Sequence, residues 1–578
     1  MSDLLLTLVV FAPLALAAVV LVLPGAEKGQ LKVATLGAML VSFGLTVALY
    51  LAFDPAGPEY QLVVNKPWVP AVGIGYHLGV DGLAVSLMLL TGFLGPIAML
   101  ASWKSIQDRV KEFCLSLLVL QTAMLGAFCA LDLALFYVFW EAMLVPMYLL
   151  IGVWGSDNRI YAAVKFFLYT FAASVLMLVA ILYLWTKSGD GAARSFDYAT
   201  ILAAINQPGA LTWEARKWLF LAFAVAFAVK VPMFPLHTWL PDAHVEAPAA
   251  GSIILAGVLL KMGVFGFLRF AMPFFPDAAA YYRPAIAILA VVGIVYGSLM
   301  SFVQKDMKKL VAYSSVAHLG FVMLGVMAAS VEAATGAILQ MINHGISTGA
   351  LFLLIGIVYE RTHTRAIADY GGIAKVTPMY AGVFLIILLS SIGLPGTNGF
   401  VGEFLILSGT FLAPFDLNVA APAGVTIPNM ETVLLACVAA TGVVLGAIYM
   451  LRMYQQVMLG PVRHPENRRL LDLNLREWFA VGPLVAVAVG MGVFPGPFLA
   501  RIEPSAKAFS ARMGAVTGAP QVAAPAAAAP APADADAPAA PPPPRMRQLP
   551  SLAPGMNPPH RLRDKPYPLP LRRGGPVQ

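Results

Sequence analysis

The sequence is built from apolar stretches of about twenty residues, the length that an α-helix needs to cross the hydrocarbon core of a bilayer. Hydrophobic residues make up 59% of the 578 residues and charged residues only 12%. A backbone surrounded by lipid must satisfy its hydrogen bonds internally, which favours helices. We therefore predict an all-α polytopic membrane protein with about fourteen transmembrane helices, at residues 4–23, 31–53, 82–101, 113–130, 133–153, 162–186, 218–236, 249–271, 284–303, 309–329, 333–358, 378–413, 432–459 and 478–500.

Two of these helices contain residues that break helical structure. The seventh holds Pro232 and Pro235, which cannot donate backbone hydrogen bonds, and the twelfth holds the run LPGTNGF at residues 394–400. The two broken helices are five apart, so helices 4–8 and 9–13 form equivalent units, and an odd number of helices makes the second unit enter the membrane upside down. We predict two inverted five-helix repeats, a frame typical of ion pathways.

The organisation along the chain follows from these repeats. Residues 1–112 hold helices 1–3, 113–271 the first repeat, 272–460 the second repeat, and 461–513 the last helix with its flanks. Residues 514–578 are rich in alanine and proline, a composition that cannot form a packed core. We expect this tail to be disordered or extended. A solvated extension is favoured over a contact of its basic end with lipid or a neighbouring subunit.

The distribution of Lys and Arg among the loops predicts the orientation. Odd-numbered loops hold sixteen of these residues and even-numbered loops six. Positively charged loops stay in the cytoplasm, so both termini are expected on the outer side. The N-terminal stretch has Asp3 and no cation before its apolar run, which is unlike a signal peptide, and we interpret it as the first span.

Composition and motifs exclude several other classes. The net charge of +7 comes without the basic stripe and interleaved aromatic residues that bind nucleic acid. The three cysteines, Cys114, Cys129 and Cys437, lie in apolar runs and form no CxxC pair, so neither an iron–sulfur cluster nor a disulfide framework is indicated. With no nucleotide loop and no cluster of metal ligands, we expect no cofactor and no metal in this chain.

Seven ionisable residues fall inside predicted helices and carry the functional hypothesis. A charged side chain at the centre of a membrane helix costs roughly 2.5–3.5 kcal/mol, so it usually faces a water-filled cavity or a partner charge and marks an ion or proton path. The seven are Glu141, Lys165, Lys230, Lys261, His318, His344 and Glu403. We predict that they form a proton pathway, with Lys165 the weaker candidate because it lies near the cytoplasmic end of its helix.

Glu141 and Lys230 are predicted to form a pair that alternates between closed and parted states, so that proton binding and release follow its geometry. A static ion pair that fixes helix packing is the structural alternative. Lys261 has no carboxylate in its own helix and suits a relay step, against the alternative of a lysine that snorkels to the interface.

His318 and His344, on successive helices, can pass protons in either direction near neutral pH. Their alternatives are polar core residues or haem ligands, and haem would need an opposed pair at matching depth. Glu403 follows the break in helix 12 and is predicted to hand protons to the outer side, with a helix cap as its alternative. Asp81, Asp242 and His244 are interpreted as surface or gating residues, and structural capping is an equal possibility for them.

Several long motifs resemble one protein family, the antiporter-like membrane subunits of respiratory complex I. They are VKVPMFPLHTWLPDAHVEAPAAGSIILAGVLLKMG, FWEAMLVPMYLLIG, HLGVDGLA, AYSSVAHLGFVMLG and SSIGLPGTNGFVGEF, and the resemblance covers roughly residues 1–505. It implies fourteen helices with two inverted repeats. It also implies a central proton axis of Glu141, Lys230, Lys261, His318, His344 and Glu403.

One position separates subtypes within this family. In one subtype of the family the position of Glu403 carries Glu. In the sister subunits of that subtype, and in the multisubunit Na⁺/H⁺ antiporters, the same position usually carries Lys. The largest sister subunit ends in a long helix along the complex, which the proline-rich tail cannot form. The resemblance therefore points to one member of a membrane arm, beside sister antiporter-like subunits and membrane lipids.

The buried charges and the resemblance fit two functions. The first is a proton-translocating unit of NADH:quinone oxidoreductase in a bacterial inner membrane, with NADH, FMN, iron–sulfur clusters and quinone bound by partner subunits. The second is a subunit of a cation/proton antiporter, which uses an existing gradient and needs no redox partner. Genes for NADH-binding and quinone-binding subunits beside this one would favour the first. A passive scaffold is disfavoured by the cost of seven buried ionisable groups.

Overall fold

The computed structural model describes residues 2–413 and 430–517. Within these ranges, twelve helices are long and apolar enough to cross a membrane. This confirms the predicted all-α polytopic class. The count of fourteen helices and the inverted repeats are not tested by this finding and stay predictions.

The first part of the bundle contains a β-hairpin that the sequence analysis did not predict. Its helices are α1 at Ser2–Val22, α2 at Lys28–Ala52, α3 at Gly82–Ala101 and α4 at Val110–Cys129. Between α2 and α3, strands β1 (Gln61–Val69) and β2 (Ile74–Val80) pair antiparallel. We call the end of the bundle with this hairpin the hairpin face, and the opposite end, with the loops at residues 102–109, 155–158 and 303–306, the basic face.

Most of the next helices are short. They are α5 at Leu133–Ala142, α6 at Leu144–Trp154, α7 at Arg159–Lys187, α8 at Tyr198–Ile205, α9 at Trp213–Lys230, α10 at Trp239–Glu246, α11 at Ala249–Ile254, α12 at Leu260–Gly266 and α13 at Met272–Phe274. The predicted fifth span divides at Met143, because Pro146 has no N–H to donate to the carbonyl of Ala142. The predicted seventh span breaks directly after Lys230.

The predicted eighth span is interrupted in a different way. π-Helices at Leu255–Leu259 and Phe267–Ala271 flank α12. A π-turn inserts one residue into the helix and leaves backbone carbonyls without their usual donors, and such turns are frequent at functional sites. Lys261 therefore lies on a regular segment between two irregular ones.

The remaining helices are longer. They are α14 at Pro276–Phe302, α15 at Met307–Ala328, α16 at Val331–Thr362, α17 at Pro378–Ile392, α18 at Asn398–Leu412, α19 at Met430–Met458, α20 at Leu475–Val493 and α21 at Gly496–Thr517. The predicted twelfth span consists of α17 and α18, divided at the LPGTNGF run. Gly393 and Gly396 take φ values of 81° and 91° in this break, a conformation that glycine adopts without strain.

Helix α21 was not predicted. Its buried residues Ile502, Ala506, Phe509 and Met513 follow helical spacing on one face, while charged residues between them obscure the pattern. The last predicted span, at 478–500, accordingly ends at Val493. The first four residues assigned to the tail, 514–517, belong to α21, and the rest of the predicted tail lies outside the described residues.

Polar contacts attach the hairpin to the helices. Asp132 caps α5 and accepts a hydrogen bond from Gly75 N at 2.9 Å, and His77 Nδ1 lies 2.6 Å from Asp197 Oδ2. Burial alone would raise the pKa of Asp197, but hydrogen bonds from His77 and Thr200 outweigh it and lower the pKa. The stabilisation from this carboxylate is therefore present at neutral pH and is lost only as the pH falls through the lowered pKa.

Three spans form the centre of the bundle. In the most apolar segment of the span Ala249–Phe274, 100% of the residues are buried, and in α15 and α16 the buried share is 94%. In α1, α2 and α20 only 33% of these residues are buried. Lys261, His318 and His344 lie on the three central spans. These residues are thus separated from lipid by other helices.

Side chains satisfy the backbone at the broken helices. Trp239 Nε1 donates to the carbonyl of Val229 at 2.9 Å, next to the break after Lys230. Asn343 Nδ2 donates an additional hydrogen bond to the carbonyl of Asn398 at 2.7 Å, which attaches the start of α18 to α16. Irregular backbone at membrane depth is tolerated because protein groups replace the missing helical hydrogen bonds.

We expect Trp239→Phe to lower the free energy of unfolding by about 1–3 kcal/mol, because it leaves the buried carbonyl of Val229 unsatisfied. A matched control is Trp185→Phe, which removes an indole donor at the same 2.9 Å distance from the carbonyl of Val72, at an exposed site. The measurement is the temperature at which half of the detergent-solubilised protein precipitates. Equal shifts in the two variants would contradict the role given to Trp239.

Candidate functional site

The predicted carboxylates and lysines lie at the helix irregularities. Glu141 is next to the end of α5, Lys230 is the last residue of α9, and Lys261 lies between the two π-helices. Glu403 lies in the second turn of α18, after the break. Each ionisable side chain thus has nearby backbone groups that are not used in regular helix hydrogen bonds.

Lys230 is buried without a direct hydrogen bond. The side chain is 1% exposed, and its Nζ has no hydrogen-bond partner among the described residues. The ammonium lies 5.1 Å from the ring centroid of Trp140 and 5.8 Å from that of Phe166. Aromatic faces stabilise a cation electrostatically, and more strongly when it is desolvated.

Glu141 follows Trp140 in the chain but does not contact Lys230 directly. Its Oε1 is buried and has no hydrogen-bond partner in the described ranges. The two predicted partners are therefore not in direct contact in this structure. A static ion pair between them is absent from this conformation of the described chain.

Lys261 is fully buried, at 0% exposure, so the snorkelling alternative is wrong. Its Nζ donates a short hydrogen bond to the carbonyl of Ala256, which belongs to the first π-helix. The same Nζ lies 2.7 Å from Nδ1 of His344 on α16. The π-turn and the imidazole together solvate this ammonium.

The two predicted histidines are adjacent. The rings of His344 and His318 have centroids 5.7 Å apart. His318 Nδ1 lies 3.3 Å from Oε1 of Glu403, and both side chains are less than 10% exposed. Lys261, His344, His318 and Glu403 therefore form a series of consecutive contacts through α12, α16, α15 and α18. We call these four residues the contact series.

Polar residues of α16 orient Glu403. Gln340 Nε2 donates to Glu403 Oε1 at 3.1 Å, and Asn343 Nδ2 donates to Gln340 Oε1 at 3.1 Å. The sequence analysis missed both residues. The available signal was their spacing, because Gln340, Asn343, His344 and Ser347 recur at three and four residues and share one helix face.

Gly393 leaves space for the second oxygen of Glu403. A Cβ at this position would lie 2.7 Å from Glu403 Oε2, closer than side chains tolerate. The break between α17 and α18 therefore serves the carboxylate as well as the backbone. The helix-cap alternative does not describe this position, since Glu403 contacts side chains of α15 and α16 instead.

The contacts of the histidines do not support the haem alternative. His318 and His344 each direct Nδ1 at an ionisable side chain, Glu403 or Lys261. In the described ranges, no group of three or more His, Cys, Asp and Glu side chains is placed to hold a metal ion. The ring nitrogens are arranged to join ionisable groups to one another.

Lys165 lies away from the contact series. Its Nζ is 2.7 Å from Asp242 Oδ2, and both side chains are partly exposed. This agrees with the prediction that Lys165 is the weaker candidate and with a surface position for Asp242. Asp81 caps α3 through a hydrogen bond from Ala84 N at 2.8 Å, but it is buried and pairs with Arg269, so a surface position is wrong for it.

The predicted surface position of His244 is also wrong. Its side chain is fully buried because α10 turns inward after the break in α9, and its ring stacks on Phe352 with centroids 4.6 Å apart. Neither ring nitrogen has a hydrogen-bond partner among the residues that the structure describes. No sequence signal indicated this burial, since the segment PDAHVEAP is typical of a polar loop.

A cavity of about 240 Å³ lies at the basic face, next to His244. Its lining includes Glu246, Phe352 and Lys308, so the ring that stacks on His244 forms part of the wall. Lys308 is buried, and its Nζ donates to the carbonyls of Ala247 and Val245 at 2.5 and 3.3 Å. Polar groups thus continue from the basic face toward the centre of the bundle.

Comparison with known proteins agrees with this geometry. Residues 130–428 match the family described as NADH:quinone oxidoreductase/Mrp antiporter, transmembrane, and residues 60–127 match the amino terminus of NADH-ubiquinone oxidoreductase chain 4. The chain is 45% identical over 509 residues to NADH-quinone oxidoreductase subunit M of Rhodobacter capsulatus, which covers 87% of this chain and 95% of the relative. It is 38% identical over 491 residues to NADH-ubiquinone oxidoreductase chain 4 of Marchantia polymorpha, with 85% and 94% covered.

Solved structures show the same fold. A chain of respiratory complex I from Thermus thermophilus with bound NADH superposes with a TM-score of 0.77 at 33% identity, over 88% of this chain and 100% of that chain. A chain of the Mrp complex from Dietzia superposes with a TM-score of 0.73 at 20% identity, over 88% of this chain and 55% of that chain. The second likeness is one of fold alone.

Proposed function

The chain belongs to the NADH:quinone oxidoreductase/Mrp antiporter transmembrane family, and we propose that its buried ionisable residues carry protons through the membrane arm of an NADH:quinone oxidoreductase. The glutamate at position 403 indicated the subtype that is called subunit M in bacteria and chain 4 in mitochondria. The relatives named above confirm this subtype. The chain is thus a subunit of a proton-translocating enzyme, complex I, and its partners are the other membrane-arm subunits.

The driving reaction lies in the partner subunits. We propose that NADH, FMN, the iron–sulfur clusters and quinone are bound there, and that this chain supplies only the proton path. Moving one charge against 100 mV costs about 2.3 kcal/mol, which ionisable groups alone cannot provide. The sister antiporter-like subunits are the neighbours through which the conformational signal reaches this chain.

The contact series is the observation that carries the proposal. Lys261 Nζ lies 2.7 Å from His344 Nδ1, a distance at which a proton passes between heteroatoms. His318 Nδ1 lies 3.3 Å from Glu403 Oε1, within the distance of an ion pair. An imidazole accepts a proton on one nitrogen and releases one from the other. Reorientation of His344 would bring its unpartnered Nε2 into use toward His318. Protons therefore move along the series without leaving the protein interior.

Glu141 and Lys230 act as the switch ahead of this series. When the pair is closed, each charge stabilises the other, and when it is parted, Lys230 is stabilised only by the faces of Trp140 and Phe166. Parting the pair therefore favours transfer of a proton from Lys230 to the next carrier. No direct hydrogen bond joins Lys230 to Lys261 in the described structure, and we propose that water carries the proton between them.

Proton uptake is proposed at the basic face and release beyond Glu403. The cavity lined by Glu246 and Lys308 leads toward His244, whose ring nitrogens have no hydrogen-bond partner among the described residues. The chain is a multi-pass protein of a bacterial-type complex I. We further propose a bacterial inner membrane location, with the basic face in the cytoplasm and both termini on the outer side, because the loop cations favour this orientation.

A cation/proton antiporter subunit is the alternative function. Its support is the likeness of fold to the Mrp complex at 20% identity, whereas the subunit M relative is 45% identical over almost its full length. Glu403 also occupies the position at which such antiporters usually have Lys. Sodium-dependent proton transport by the reconstituted chain without NADH would favour this alternative.

We expect Lys230→Ala and Glu141→Ala to preserve assembly but lower proton pumping and coupled NADH:quinone activity by about tenfold or more, since groups that transfer protons typically contribute at least this much. The matched control is the double variant Glu214→Ala/Lys217→Ala, which removes the 2.7 Å ion pair at the other end of α9. Pumping and NADH oxidation are measured in inside-out membrane vesicles. Normal pumping in both single variants would refute the pair hypothesis.

Glu403→Gln is expected to block release and abolish most pumping, whereas Glu403→Lys retains a titratable group and part of the activity. Wild-type pumping by Glu403→Gln would show that the assigned release group is wrong.

Gln340→Ala removes the hydrogen bond to Glu403 and should lower pumping by a smaller factor, about threefold to tenfold. Its matched control is Gln121→Ala, another buried glutamine, which donates to Ser42 Oγ at 3.1 Å away from the series.

A further inference from the structure

Helix α3 contacts both ends of the span that carries Lys261. At the basic face, the backbone N–H of Ala250 donates to Ser102 Oγ, at the end of α3, at 3.0 Å. At the hairpin face, Arg269 Nη2 lies 2.6 Å from Oδ1 of Asp81, at the start of α3. Lys261 lies between these two attachments, eight residues before Arg269.

The attachment at the hairpin face is a buried ion pair. The side chains of Arg269 and Asp81 are only 3% and 8% exposed. The carboxylate has two functions, because it also caps α3 by accepting the N–H of Ala84 at 2.8 Å. One side chain thus fixes the start of α3 and the end of the Lys261 span relative to each other. Removing one partner of such a pair leaves an uncompensated buried charge.

Helix α21 covers this ion pair. Its Ser505 Oγ accepts a hydrogen bond from Leu83 N at 3.3 Å, and Arg512 Nη2 pairs with Glu59 Oε2 at 2.5 Å. The ring of Tyr60 lies under the guanidinium of Arg269, 4.9 Å from its Cζ. The pair is therefore shielded from solvent, which strengthens the Coulomb attraction between its two charges relative to a surface ion pair.

The middle of the span is packed tightly but is not held by polar contacts to α3. A Cβ on Gly257, in the first π-helix, would lie 2.3 Å from Leu94 Cδ1 of α3. A Cβ on Gly345, next to His344, would lie 2.8 Å from the carbonyl of Gly257. Close backbone approach thus brings α3, the π-helix and α16 together beside the contact between Lys261 and His344.

We propose that Asp81 and Arg269 are positioning residues for Lys261, and that α3 acts as a strut that fixes both ends of its span while the π-helices allow the middle to adjust. This inference rests on the proposed function, in which Lys261 passes protons to His344. The ion pair sets how far Lys261 reaches toward the imidazole. A small displacement of a reacting group lowers transfer rates strongly.

The test uses Asp81→Asn and Arg269→Gln in the complete oxidoreductase. Asp81→Asn keeps an oxygen that accepts the N–H of Ala84 and removes only the charge. The neutral double variant Asp81→Asn/Arg269→Gln leaves no unpaired charge, so it keeps the test available if a single variant fails to assemble. We expect a normal amount of assembled complex in the double variant and a roughly tenfold loss of pumping per complex.

A double-mutant cycle separates positioning from general destabilisation. In a Lys261→Ala background, the changes at Asp81 and Arg269 should cause no further loss of pumping, because their effect acts through Lys261. The control is Lys507→Gln, which breaks an exposed ion pair to Glu503 on α21 and should pump normally. Wild-type pumping by the neutral double variant, or an equal further loss in the Lys261→Ala background, would overturn the positioning role. Wild-type pumping by Lys261→Ala itself would instead refute the proposed function.

Discussion

The structure depends on how two ammonium groups are stabilised far from water. Lys230 and Lys261 are 1% and 0% exposed, and an isolated buried ion carries a penalty of several kcal/mol. Different groups offset this penalty at the two sites. Lys261 has a backbone carbonyl and an imidazole as acceptors, whereas Lys230 faces only aromatic rings within the described structure. The first site thus provides two direct hydrogen-bond partners for the side-chain nitrogen, and the second provides none within the described structure.

The helix irregularities follow from the same requirement. A regular helix in lipid uses its carbonyls internally and offers none to a buried cation. The π-helix before α12 frees the carbonyl of Ala256 for Lys261, and the break after Lys230 exposes the carbonyl of Val229, which Trp239 occupies. The break between α17 and α18 makes room for Glu403 beside Gly393. The ionisable residues and the irregular backbone are therefore parts of one arrangement.

The sequence shows which residues are charged within apolar runs, but it does not show which distant residues contact each other. Burial of charge is visible in a sequence, because Lys230 or Glu403 stands out in an apolar run, and Pro and Gly mark the breaks. Contacts between distant residues are not visible: Lys261 and His344 are 83 positions apart. Arg269 lies near the predicted end of its span, where a cation suggests an interface, and only the position of Asp81 shows that it is buried and paired. The π-helices, the hairpin and the inward turn at His244 depend on tertiary packing, which gave no periodic signal.

The two halves of the proposed path differ in a way that assigns them different roles. From Lys261 to Glu403 the ionisable groups are in contact, so transfer there requires little more than rotation of two imidazole rings. Between Glu141, Lys230 and Lys261 no direct hydrogen bond exists in the described chain, so transfer there requires movement of a side chain or of the broken helix behind it. A path with one continuous and one interrupted half conducts only when the interrupted half closes. In the proposed mechanism, control by neighbouring subunits therefore acts at the break after Lys230. The span of Lys261 is attached to α3 at both ends, and its middle adjusts only as far as the π-helices allow.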